Sequence, residues 1–169
     1  MNKGGLEIER KFLIHYPDME LLGRRAQASR IVQTYLTGGA KQGSERVRRR
    51  SDGAGICYTH TVKRHISAAT RTEDEREISE EEYLSLLERA DPERRPVEKL
   101  RYCLPYEGQL FEIDVYPFWS DRAVMEIELE DEKQAVRFPP ELRLIRELTE
   151  DGRYTNSALA KSIPDEDID

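Results

Sequence analysis

Polar and apolar residues alternate with a period of two along most of the chain. In residues 6–14, Leu6, Ile8, Phe12 and Ile14 take one face and Glu7, Glu9 and Lys11 the other. That period is the signature of strands, whose successive side chains point to opposite faces. Related patterns in residues 31–37, 45–51, 56–64, 71–78, 97–104, 109–116 and 123–130 predict eight strands in all. The punctuation agrees: Gly4-Gly5 precedes the first strand, Pro17-Asp18 closes it, Gly38-Gly39 ends the second, and Asp52-Gly53 and Glu107-Gly108 mark turns. Residues 71–78 are the weakest strand by pattern, since Glu73, Glu75 and Glu77 face only Ile78 as an apolar partner and propensity also tolerates a helix there.

Three segments carry helical spacing instead. Met19, Leu22 and Ala26 mark a short helix within residues 19–28, weakened by Gly23. Ser79-Glu80-Glu81-Glu82 is a capping box, and Tyr83, Leu84, Leu86, Leu87 and Ala90 supply the apolar stripe of a helix ending before Pro92. A third short helix is predicted near residues 157–162, and the stretch from Pro139-Pro140 through Glu147-Leu148-Thr149 reads as irregular. Eight antiparallel strands joined mostly by hairpin-length turns predict a mainly β fold: a closed eight-stranded antiparallel β-barrel with the short helices packed outside and no free edges.

Charge sharpens this picture, because 36% of residues are charged against 37% apolar, and the charges are sorted by strand. Arg46, Arg48 and Arg50 share one face; Glu126, Glu128 and Glu130 share another. A solvated exterior face normally mixes signs, whereas a lumen in which basic strands look across at acidic ones gives single-signed strands a purpose. Periodicity alone leaves both arrangements open. A charged lumen has to be wet and paired, since unpaired buried charge is costly. Arginine and lysine attract phosphate oxygens, and carboxylates bind Mg²⁺ or Mn²⁺, which bridge to phosphate. The apolar outer faces then need cover from helices or from a partner subunit, which leaves a homodimer open.

The remaining composition sets bounds. A length of 169 residues fits a single domain, read as residues 1–163, with an acidic tail at 164–169 expected to fray. A net charge of −7 argues against non-specific binding to nucleic acid or membranes. There is no signal-peptide pattern and no apolar run of about 18 residues. Cys57 and Cys103 fit neither a metal spacing nor a disulfide framework, so a reduced, cytoplasmic protein is expected.

Seven short motifs, in order, resemble those of the CYTH superfamily, the triphosphate tunnel metalloenzymes. Glu7-Ile8-Glu9-Arg10-Lys11 matches its E-x-E-x-K signature, Arg46-Val47-Arg48 its R-x-R strand, Thr61-Val62-Lys63 its T-h-K strand and Glu75-Arg76-Glu77-Ile78 its E-x-E strand. Lys99-Leu100-Arg101-Tyr102 is similar to its K-x-R-Y strand, Glu112-Ile113-Asp114-Val115 to E-h-D-h and Glu126-Ile127-Glu128-Leu129 to E-h-E-h. The tail, with Glu147-Leu148-Thr149, Arg153-Tyr154-Thr155-Asn156 and Ala158-Leu159, follows the pattern of small bacterial members.

The resemblance implies a tunnel-shaped barrel and an inorganic triphosphatase acting on a small-molecule triphosphate by metal-activated water. It implies Mg²⁺ or Mn²⁺, two ions, held by Glu7, Glu9, Glu126 and Glu128. Lys11, Arg46, Arg48, Lys63, Lys99 and Arg101 would cradle the triphosphate, and Glu75, Glu77, Glu112 and Asp114 would orient those cations. Lys63 is the candidate to neutralise or protonate the leaving group, with Glu9 and Glu128 beside it in the catalytic set; no side chain is expected to act as nucleophile. Tyr35, Arg50, Glu73 and Glu130 share the lumen parity; His60 falls on the outer face, Arg10 interrupts it, and Cys57 and Cys103 read as spectators. A class IV adenylyl cyclase, a thiamine triphosphatase and a non-catalytic module binding polyphosphate or an RNA 5′-triphosphate remain the alternatives.

Overall fold

The computed structural model describes residues 5–38 and 43–168. Gly4, Gly39 and Asp169, which enter the readings above, lie outside the described residues. Nine strands form one sheet among the described residues: β1 (Gly5–His15), β2 (Gln27–Tyr35), β3 (Gly43–Asp52), β4 (Gly55–His65), β5 (Thr70–Ile78), β6 (Val97–Tyr106), β7 (Gln109–Val115), β8 (Arg122–Leu129) and β9 (Leu144–Glu147). Each of the eight expected strands is present, including the weakly patterned one. They run in the order β5-β4-β3-β2-β6-β7-β8-β1, every pair antiparallel, and β5 returns to β1 to close the barrel.

β9 was not expected, because the sequence read as irregular there. It has a physical place to be: β1 is long, β5 covers only Gly5–Ile8 of one edge, and β9 pairs with Phe12–Ile14. Two short strands thus satisfy the backbone groups of one long edge. Arg10, which breaks the apolar outer face, reaches across to Glu147 of β9 with Nε 3.0 Å from Oε2 and Nη2 2.6 Å from Oε1.

The turns and helices follow local chemistry. Glu107 (φ 47°) and Gly108 (φ 74°) both take positive φ between β6 and β7, the conformation a two-residue hairpin turn demands. Helix α1 (Met19–Arg25) is capped by Asp18, whose Oδ1 accepts from the Glu20 and Leu21 amides. It ends earlier than expected, since residues 27 and 28 already belong to β2. Helix α2 (Glu80–Leu86) starts at the Ser79 cap, which accepts from Glu82 N at 3.0 Å, and continues as a 3₁₀ turn over Leu87–Arg89. Helix α3 (Asn156–Leu159) is capped by Thr155.

Packing divides the apolar residues among three places. Outside β1 and β6–β8, the buried Phe12, Ile14, Phe111, Ile113 and Met125 pack with Leu22 of α1 and with Phe138 and Leu142 of the loop before β9. Outside β3–β5, Val47 and Ile78 pack with Tyr83 of α2. Burial of each large side chain contributes roughly 1.5–3 kcal/mol, so helices and loops of the chain itself supply cover that could have come from a partner. The third cluster lies within the barrel: Leu13, Tyr35, Val97 and Val124 meet Trp119, Tyr154 and Leu159. These residues plug one end of the lumen, which the alternation pattern did not reveal.

The acidic tail is tied down rather than frayed. Glu166 accepts from Arg146 Nε at 2.9 Å and from the Tyr154 hydroxyl, and Ile168 packs against the plug. The described residues contain no helix long and apolar enough to cross a membrane.

Candidate active site

A cavity of about 690 Å³ fills the unplugged part of the barrel. Eight strands with inward side chains at every second position make it a charged chamber. Arg46, Arg48, Arg50, Lys63 and Arg71 come from β3–β5, and Glu7, Glu9, Glu112, Glu126 and Glu128 from β1, β7 and β8. The charged faces therefore look inward, and the solvated-exterior arrangement is excluded.

The four carboxylates singled out in the sequence sit on neighbouring strands. Glu9 stands opposite Glu128 in the β1–β8 register, and Lys11 opposite Glu126. Glu126 is buried, with Lys11 Nζ 3.4 Å from Oε1 and Arg101 Nη2 4.0 Å from Oε2. Burial opposes its charge, but Lys11, Arg101, Lys99 and Lys63 outweigh burial and hold it well below the usual carboxylate range. Glu7 goes the other way: burial raises it, with the carboxyl groups of Glu73 and Glu128 close beside its own. Carboxyl groups crowded together favour a proton or a nearby cation.

The basic wall is built by different means. Gln33 Oε1 accepts from Arg48 Nε at 3.2 Å and from its Nη2 at 2.9 Å, fixing that side chain. Arg46 is buried, and its Nε has no hydrogen-bond partner, a donor whose natural complement is an anion in the chamber. Lys63 is brought down to about 8 by burial, then by Arg46 and Arg71. Arg101 reaches the chamber while forking onto Asp114, Nε to Oδ1 at 2.8 Å and Nη2 to Oδ2 at 2.9 Å, and holding Glu112 at 3.0 Å.

Two curated proteins match nearly the whole chain. An inorganic triphosphatase of Nitrosomonas europaea is 39% identical over 162 residues, spanning 94% of this chain and 99% of that protein. An inorganic triphosphatase of Acetivibrio thermocellus is 35% identical over 159 residues, spanning 94% and 95%. The chain belongs to the inorganic triphosphatase family. The solved structure of the inorganic triphosphatase NE1496 agrees, with a TM-score of 0.59 at 35% identity over 93% of this chain and 99% of that one. The protein PH1819 of Pyrococcus horikoshii, at 22% identity and a TM-score of 0.58, shares the fold. No protein-family model matches the chain.

Within this inorganic triphosphatase fold, some expected positions are displaced from the chamber. Lys99 does not line it: the side chain is fully buried, its Nζ 2.7 Å from Asp114 Oδ2 and 3.4 Å from Asn156 Oδ1. Burial brings Lys99 down to about 7, while Asp114, despite its burial, is held at about 2 by Arg101 and Lys99. Asp114 lies equally deep, and Glu77 is exposed opposite Thr59 without lining the chamber. Glu75 does line it and accepts from Thr61 Oγ1 at 2.9 Å. Tyr35, Arg50 and Glu73 line it as their parity indicated; Glu130 does not. His60 is outside, 2.7 Å from Glu45 Oε2. Cys57 and Cys103 are free and half-buried, and neither lines the chamber.

Sequence reasoning missed Arg71, His65, Ser44 and the segment Thr155-Asn156-Ser157, all of which line the chamber. Arg71 was legible, since it shares parity with Glu73 and Glu75. The last three come from the cap of α3, which no strand pattern could place. Asn156 Oδ1 accepts from the Tyr116 hydroxyl at 2.6 Å and faces Lys99, which can only donate, so the Asn156 amide nitrogen is left for the chamber.

Proposed function

We propose that this chain hydrolyses inorganic triphosphate bound in the barrel chamber, releasing phosphate. The observation that carries the reading is the pairing, in one cavity, of a cationic wall with an acidic one, inside a chain of the inorganic triphosphatase family. A triphosphate needs several cations at once. Arg46, Arg48, Lys63 and Arg101 converge on it, and Lys11 and Arg50 lie close enough in the wall to add to them. Tyr35 and the His65 imidazole are the two aromatic rings lining the cavity among the described residues, with no phenylalanine or tryptophan beside them, which favours a substrate without a base over a nucleotide.

The donor set also suits a hard divalent cation, Mg²⁺ or Mn²⁺. Glu7, Glu9, Glu126 and Glu128 offer only oxygens, and Glu7 Oε2 is buried without a hydrogen-bond partner. Magnesium is commonly held by one or two carboxylates acting together with substrate phosphates, a share that these strands can supply. Such a cation supplies charge neutralisation at the phosphates and a more acidic water. The chain's own residues do the rest: Arg48 is held in place by Gln33, Arg46 offers an open donor, and Lys63 is suited to stabilise or protonate the departing pyrophosphate. The unpaired cysteines accord with a reducing, cytoplasmic setting.

The test is phosphate release from tripolyphosphate with Mg²⁺ or Mn²⁺, compared with the Glu126→Gln, Glu128→Gln double variant. Release by the natural chain that the double variant lacks supports the reading; equal rates sink it. Cyclic AMP and pyrophosphate from ATP would point to a cyclase instead.

A further inference from the structure

Arg71 enters the barrel from β5 opposite Glu7 of β1. Its guanidinium spans the carboxylate pair: Nε lies 3.2 Å from Glu7 Oε2 and Nη2 2.6 Å from Glu9 Oε2. All three side chains are about nine-tenths buried. The two contacts are unequal. Glu9 is held tightly, whereas Arg71 Nε and Glu7 Oε2 each lack a properly directed hydrogen bond in spite of their proximity.

We propose that Arg71 is the resident counter-ion of the Glu7 and Glu9 pair and a positioning residue of the reaction. It competes with the divalent cation for those carboxylate oxygens and, once displaced, turns to the phosphate oxygens of the substrate. The inference rests on the triphosphatase reading above.

Buried carboxylates side by side on one strand need positive charge nearby, and the chain provides it in Arg71. A divalent ion bound by Glu7 and Glu9 would use the same lone pairs and would face the guanidinium as a like charge in a poorly screened site. Both cannot hold the pair at full strength. The loosely made Glu7 contact is where displacement begins at least cost. The freed guanidinium already lines the chamber, and its planar fork matches two oxygens of a phosphate. Metal entry therefore hands a cation to the substrate wall, so metal and triphosphate favour one another's binding.

The experiment titrates the natural chain, Arg71→Met and Arg71→Lys with Mn²⁺ alone, reading free Mn²⁺ by electron paramagnetic resonance and stability by thermal melting. Arg71→Met is expected to bind Mn²⁺ at least tenfold more tightly, to melt below the natural chain without metal and to gain more on adding Mn²⁺. Arg71→Lys, with a point charge in place of a fork, falls between, and it carries the comparison if Arg71→Met does not fold without metal. With tripolyphosphate, Arg71→Met raises KM more than it lowers kcat. Unchanged or weaker Mn²⁺ affinity in both variants, when the natural chain binds Mn²⁺, overturns this proposal alone. No Mn²⁺ binding by the natural chain overturns the metal reading and this proposal together.

Discussion

Lys99 Nζ lies 2.7 Å from Asp114 Oδ2, with neither side chain reached by solvent, and Arg101 grips the same carboxylate through two nitrogens. One carboxylate thus serves two buried cations, and Arg101 adds Glu112 at 3.0 Å. Asp114→Asn strips Lys99 of its carboxylate and leaves Arg101 with Glu112, and is expected to cost about 3–5 kcal/mol in urea denaturation. The sign with pH follows from the lowered value of Asp114, about 2 against 3.8. Its stabilising contribution is complete above about pH 4 and is lost as pH falls toward 2, and the variant should lack that segment of the acid limb.

Lys63, brought down to about 8, gives a second pH signature. If its ammonium meets the substrate, kcat/KM for tripolyphosphate is level below that value and declines as pH rises through about 8, because the free enzyme loses the charge. Lys63→Arg should carry this limb upward, since a guanidinium stays protonated. A profile identical in the two proteins would remove Lys63 from the catalytic set.

Glu9 faces Glu128 across the β1–β8 pair. Glu9→Gln should lower kcat/KM by about 100-fold or more, with metal affinity falling alongside. In the natural chain, chelation should stop phosphate release and added Mg²⁺ or Mn²⁺ should restore it. Full activity in excess chelator would contradict the assignment of these acids.

Asn156 lines the chamber, and with Tyr116 and Lys99 on its oxygen its amide nitrogen is the group free to donate to a bound anion. Asn156→Asp keeps both of those contacts but turns an acceptor toward the anion. KM for tripolyphosphate should rise about tenfold with little change in melting temperature, and an unchanged KM would exclude contact between this residue and substrate.

The alternation of side chains made the strands and their charged faces readable, because a period of two says which face a residue joins, while the family resemblance pointed that face inward. It does not say how deep along the axis that residue lies. Lys99 and Arg101 have the same parity, yet the first is sealed beneath the α3 segment and the second reaches the chamber. Depth depends on strand stagger and on which loops fold over the ends, and both are tertiary. The plug was hidden for the same reason: Leu13 and Val124 have lumen parity, but their partners Trp119, Tyr154 and Leu159 come from irregular or short segments. β9, four residues long, was too brief for its pattern to stand out. Arg71 carries the same parity as Glu73 and Glu75, so the pattern that places those glutamates places it too.

The stopper formed by Leu13, Val124, Trp119 and Tyr154 bears on how a substrate would come and go. Were that end shut to phosphate, a linear polyanion would enter by its tip, and whatever is cut loose would leave by the doorway through which the rest came. Longer polyphosphates would then be trimmed from their ends rather than cleaved mid-chain, with spent fragments queuing against the next arrival.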